Sequence, residues 1–225
     1  MRAMCVVAAI AMTAGLGAQE TTAMLPGNYQ VQFENEWVKV TSVRYGPNEK
    51  LPGHAHTPTP TAYVYLNDGG PVIFRHVGGS AATRPATKAG AFRVYRGLTE
   101  VHEVENTAKV PSEFLRVELK TEPRNVEAIR GKFERPAAPT ADAVVHFDHP
   151  QVRISRLWAM PGSVATFTTG ADPALVIALM AGGHFTAGQV RWVPASSGSR
   201  LDNPGTVPID FLRFDFKTPP SGTTR

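Results

Sequence analysis

The chain repeats itself. The segment FLRVELKTEP, from Phe114 to Pro123, returns as FLRFDFKTPP from Phe211 to Pro220, an offset of 97 residues. A second match, VQFENEWVKVTSV from Val31 with VHFDHPQVRISRL from Val145, lies at an offset of 114. Phe33 pairs with Phe147, Val38 with Val152 and Val40 with Ile154. A duplicated unit of this length makes the fold two copies of one architecture. A hairpin accounts for the difference between the offsets: the first copy carries Pro71 to Ala89 between Gly70 and Gly90, where the second has four residues between Gly183 and Gly188. The units run over residues 29–122 and 143–219, and residues 123–142, with Pro136 and Pro139, join them. The middle of the joint, VEAIRGKFE, is expected to form one short helix; nothing else reads as helix.

Within each copy the period is two. Phe114 to Leu119 alternates apolar residues with Arg116 and Glu118, and Tyr63 to Leu66 ends at Asn67-Asp68-Gly69-Gly70, a hairpin signal. Glycine and proline, 20 and 19 of 225 residues, exceed the average share of about 12% and oppose a helical bundle. Short strands bounded by glycines describe a sandwich or jelly-roll barrel. The expected fold class is therefore all-β, with two barrels in tandem.

Residues 1–18 stand apart. A positive start at Met1-Arg2, the apolar run CVVAAIAM from Cys5 and small residues up to Ala18 have the layout of a cleaved signal peptide, which points to a periplasmic or secreted protein without a stable membrane anchor. The single cysteine, Cys5, leaves with that segment, so neither a disulfide nor a thiolate metal site is expected. The net charge of +4 is a thin surplus of scattered Lys and Arg, without the basic runs and interleaved aromatics that track nucleic acid. No nucleophile elbow, P-loop, dinucleotide fingerprint or metalloprotease helix is present.

Two segments carry metal-binding chemistry. In His54-Ala55-His56 the imidazoles sit at i and i+2, which on a strand places both on one face. In GAFRVYRGLTEVHEVEN, from Gly90 to Asn106, His102 shares a face with Val104 and Asn106. Thr61, Tyr63 and Tyr65 share a parity of their own, toward either the first cavity or the barrel packing.

Residues 46–69 and 90–106 resemble the two motifs of the cupin superfamily, G-x5-H-x-H-x3,4-E-x6-G and G-x5-P-x-G-x2-H-x3-N. The stretch from Gly188 to Asn203 resembles the second motif again, with Pro194 in place. The resemblance implies two cupin-type jelly-roll barrels (a bicupin), with a metal held in the first by His54, His56 and His102. Zinc, iron, manganese, nickel and copper all suit such donors. The motif's glutamate is missing: Pro60 and Thr61 stand near its place, and Glu100 or His76 are the available substitutes. In the second copy, Phe167 and Thr169, or Thr168 and Gly170, take the places of His54 and His56, and Ser199 that of His102. This barrel is expected to be metal-free, with a covering or supporting role or a homodimer interface. His146, His149 and His184 read as surface or turn residues. Three functions stay open: a metal-dependent enzyme of oxygenase or isomerase type acting on a small molecule, a non-enzymatic small-molecule binder, and an interaction protein with vestigial sites.

Overall fold

The computed structural model describes residues 26–139 and 143–222; the expected signal peptide lies outside them. The first copy contributes β1 (Tyr29–Glu34), β2 (Val38–Tyr45), β3 (Lys50–His56), β4 (Thr61–Tyr65), β5 (Val72–His76), β6 (Ala81–Arg84), β7 (Phe92–Tyr95), β8 (Glu100–Asn106) and β9 (Ser112–Leu119). After β10 (Arg130–Phe133) come β11 (Ala143–Asp148), β12 (Val152–Ala159), β13 (Val164–Thr168), β14 (Ala174–Ala178), β15 (Val190–Val193), β16 (Gly198–Asp202) and β17 (Ile209–Phe216). The all-β expectation holds. Among the described residues no helix is long and apolar enough to cross a membrane.

The strands form two sheet pairs. A large sheet ordered β1-β2-β9-β4-β7-β10 faces a small one ordered β3-β8-β5-β6; in the second copy β11-β12-β17-β14-β15 faces β13-β16. Every strand pairing is antiparallel, and the bulge between Val31 and Phe33 in β1 recurs between Val145 and Phe147 in β11. Turn chemistry is duplicated as well. Asn106 is fully buried and donates through Nδ2 to the carbonyls of Gly46 (2.7 Å) and Val110 (2.9 Å). Asn203 does the same to Ala159 (2.8 Å) and Val207 (2.7 Å). Gly90 and Gly188, which open the second motif in each copy, both have φ of +79°. A side chain at either is strained by that φ, and its Cβ would fall 2.6 Å from Arg135 or 2.8 Å from Leu66.

Three apolar clusters follow from the alternation. Tyr45, Leu51, Val72, Val104 and Phe114 fill the first sheet pair; Leu157, Val176, Leu201, Ile209 and Phe211 fill the second. The opposite faces of the two large sheets meet each other: Val40, Val64, Leu115 and Val117 pack with Ile154, Ile177, Leu212 and Phe214 in one continuous core. Consequently β9 and β17 are buried on both faces, and all eight residues of each are at most partly exposed.

The expected helix in the joint does not form. Val126–Ala128 make a single 3-10 turn, and Arg130–Phe133 pair antiparallel with β7 as the edge of the first large sheet. The free edge of β7, the burial of Ile129 and the stacking of Phe133 on Phe92 at 4.7 Å outweigh the helix propensity of a segment that contains Gly131.

Candidate metal centre

The site begins with a bulge. In β3, Leu51 lies opposite Val104 and His54 opposite His102, so β3 carries one residue more than β8 across this interval. Leu51 faces inward, and strict alternation would then point His54 and His56 outward. The extra residue in Pro52-Gly53 reverses the parity and turns both imidazoles into the barrel. It also frees the Pro52 carbonyl, which lies 2.9 Å from His54 Nδ1. A carbonyl can only accept, so Nδ1 carries the proton and His54 Nε2 presents a lone pair.

In β13 the register with β16 is continuous, and Phe167 lies opposite Ser199 as His54 lies opposite His102. This settles the gap between the copies: Phe167 and Thr169, not Thr168 and Gly170, occupy the positions of His54 and His56. Thr168 and Gly170 are exposed, whereas Thr169 is buried. The Arg213 guanidinium lies 4.2 Å from the centre of the Phe167 ring, and the interior is apolar.

Across β3, β8 and β5 the residues His54, His102 and His76 stand directly opposite one another, and His56 stands opposite Glu100. The His54, His56 and His102 rings have centroids 4.9–5.0 Å apart. One nitrogen from each lies within 4.8 Å of the others, and His76, Glu100 and His102 satisfy the same condition. His102 is buried, and neither of its nitrogens has a hydrogen-bond partner. The Glu100 carboxylate stands 3.5 Å from His102 Nδ1 and 3.4 Å from His76 Nδ1. The contact with His102 holds the Glu100 carboxyl below its usual pKa.

These donors fit a divalent transition ion in three respects. His102 offers two nitrogens without a hydrogen bond, His54 has a fixed tautomer with an unprotonated Nε2, and His56 stays neutral because burial and the adjacent Arg116 push its pKa down to about 2. Arg116 is the competing group: it is buried and its Nη1 meets His56 Nδ1. Tyr29 and Tyr45 complete the floor. The Tyr29 hydroxyl lies 2.9 Å from His54 Nε2 and 2.7 Å from the Tyr45 hydroxyl. With the His54 tautomer fixed, Tyr45 donates to Tyr29 and Tyr29 donates to the imidazole. Burial raises both phenol pKa values, that of Tyr45 to about 12.

Above this floor opens a cavity of about 340 Å³, lined by Tyr63, Tyr65, His76, Glu100, His102 and Arg93 among others. Thr61 does not line it. Although it shares the parity of Tyr63 and Tyr65, its hydroxyl turns 2.7 Å to the Thr59 carbonyl and its side chain is buried. The β5–β6 hairpin, inserted in the first copy alone, supplies one wall through Phe74, His76 and Arg84.

The remaining histidines lie elsewhere. His184 is exposed in the Gly182–Phe185 turn, and His146 is half-buried beside Phe92 and Phe133. His149 occupies a turn as expected, but it is buried. It replaces Asn35 of the first copy, accepting from the Gln151 amide at 3.2 Å where Asn35 accepts from Trp37.

Tyr29, Tyr45, Arg84, Arg93 and Arg116 were not among the expected site residues. The signal for Arg116 was its place in FLRVEL, a cation in a strand otherwise fit for burial on both faces. Alternation groups Arg116 with Glu118 on one face without saying where that face points; in the structure Arg116 points to the cavity.

No protein-family model matches the sequence, and no curated protein does. Solved structures do. The Escherichia coli protein Ylba superposes with a TM-score of 0.59 over 87% of each chain at 10% identity. Oxalate decarboxylase from Lactobacillus farciminis gives 0.56 over 82% of this chain and 78% of that one at 13% identity. Salicylate 1,2-dioxygenase from Pseudaminobacter salicylatoxidans gives 0.54 over 80% and 71% at 11% identity. At such identities the likeness concerns the fold, and it agrees with the motifs and the sheet order. The chain has an all-β, cupin-type jelly-roll fold.

Proposed function

We propose that the protein is an exported bicupin whose first barrel binds a divalent transition metal through His54, His56 and His102 and receives a small molecule in the cavity above. The observation that carries this reading is His102, a buried imidazole with both nitrogens unpartnered, facing two neutral histidines across adjacent strands. A bound divalent ion would supply Lewis-acid or redox chemistry of the oxygenase or isomerase kind. The chain's own residues do the rest. Tyr29 keeps a proton at its hydroxyl beside His54, Arg116 orients His56, and Glu100 offers a carboxylate on the far side of His102, in place of the motif's missing glutamate. Phe74, Tyr63 and Tyr65 keep the walls apolar. The second barrel, with Phe167, Thr169 and Ser199 at the ligand positions, braces the first.

A second reading, a non-enzymatic small-molecule binder, draws on Arg116, whose charge against His56 works against a cation. Metal analysis of tag-free protein tests the first reading. About one ion per chain in the wild type and near none in His54→Ala/His102→Ala is the expected result; equal content in the two ends the metal assignment. Turnover or oxygen uptake by the metal-loaded protein then separates enzyme from binder. Export predicts that the secreted or periplasmic form lacks about eighteen N-terminal residues, which intact-mass measurement reads directly.

A further inference from the structure

The cavity carries more positive than negative charge. Three arginines and two lysines line it against two glutamates. The arginines are also short of partners. The Nε atoms of Arg84, Arg93 and Arg116 are all buried without a hydrogen bond. Arg116 reaches Glu118 at 3.3 Å through Nη2 and His56 through Nη1, and Arg84 reaches the Ser112 hydroxyl at 2.6 Å. Arg93 lies 4.2 Å from the centre of the Tyr63 ring. Among the described residues neither Arg84 nor Arg93 makes an ion pair with a carboxylate. A guanidinium with a buried, unspent donor is costly, and it is the group that grips a planar anion with two parallel bonds. Around it the walls are flat and apolar, formed by Tyr63, Tyr65, Phe74 and Phe114, and about 340 Å³ suits a ligand of small size.

We infer that the first barrel binds a small organic carboxylate, its carboxylate group paired with Arg93 and Arg116 and its apolar body against Tyr63 and Phe74. The inference deepens the proposed function by naming the class of its small molecule, and it shares that cavity but does not need the metal. The arginines come from the large sheet, on β7 and β9, and the histidines from the small one.

Calorimetric titration with benzoate and its neutral counterpart benzamide tests it, on protein as purified and after chelation, with metal content measured in each sample. Benzoate is expected to bind both preparations. Benzamide should bind at least about tenfold more weakly, and Arg93→Gln should lose benzoate affinity by a similar factor. Arg93→Lys should recover part of that loss, and thermal melts of both variants show that the fold is kept. Equal binding of benzoate and benzamide, no effect of Arg93→Gln, or tighter binding of inorganic phosphate than of benzoate would each overturn the carboxylate assignment. Benzoate binding without copurifying metal would end the metal reading alone. Stoichiometric metal without preference for the anion would end this one alone.

Discussion

A proton on His56 would lie against the Arg116 guanidinium inside the barrel. Burial first, and that repulsion second, move the imidazole from 6.5 to about 2. The His56 ring is therefore expected to stay neutral throughout the physiological range, and its carbon-bound proton resonances should not titrate between about pH 8 and 5. The unfolded chain takes up that proton near pH 6.5 and the folded one does not, so this residue withdraws stability as the pH falls below 6.5. Tyr45 acts at the other end of the scale. Its phenol is pushed up to about 12, so its share of stability is whole below pH 10 and disappears as the pH rises through 12. Tyr45→Phe should remove one late-ionising phenol from the absorbance titration at alkaline pH. The histidines were legible from the spacing His54-x-His56 and from the strand that holds His102. Tyr29 and Arg93 were not, because nothing in a local pattern says which side chains from β1 and β7 will line one cavity.

The bulge at Pro52-Gly53 decides which way a whole strand faces. Deleting Gly53 would give β3 the continuous register of β13 and turn His54 and His56 outward. The expected result is a folded protein, with unchanged far-ultraviolet circular dichroism, that lacks the proposed metal binding. The sequence showed the trace of this bulge as a one-residue ambiguity between the copies, but a parity switch becomes visible only once the opposing strand is known. The paired asparagines make a second element-level test. Asn106→Ala and Asn203→Ala each strip buried carbonyls of their donor, and each should cost about 1–3 kcal/mol in denaturant unfolding, with similar values in the two copies. The segment read as a helix became β10 for the converse reason: an open edge on β7 was available in space, and no local propensity reports that.

At the scale of the molecule, the repeat announced two like units and concealed how they are joined. Apolar residues on both faces of β9 and β17 have that arrangement as their cause, since each large sheet is the inner wall of its own barrel and the outer wall toward the other. A charged tie crosses the same boundary. Arg156, fully buried, pairs with Asp210 at 2.6 Å and donates to the Gly90 carbonyl of the first unit, while Arg135 reaches Asp210 at 3.0 Å. Arg156→Ala leaves the Asp210 carboxylate without its buried partner and should cost about 3–5 kcal/mol. Leu212→Ala in the shared core should cost about 2–5 kcal/mol. With so much common interior, calorimetry should show one unfolding transition for both units, and two resolved transitions would refute the shared core as the main source of stability. The back-to-back packing has a further consequence. Two separate barrels would hold this contact only above some threshold concentration, whereas tethered on one chain they hold it at any dilution, since the tether fixes their local concentration. The tether thus keeps each unit braced by the other without a second chain ever having to be found.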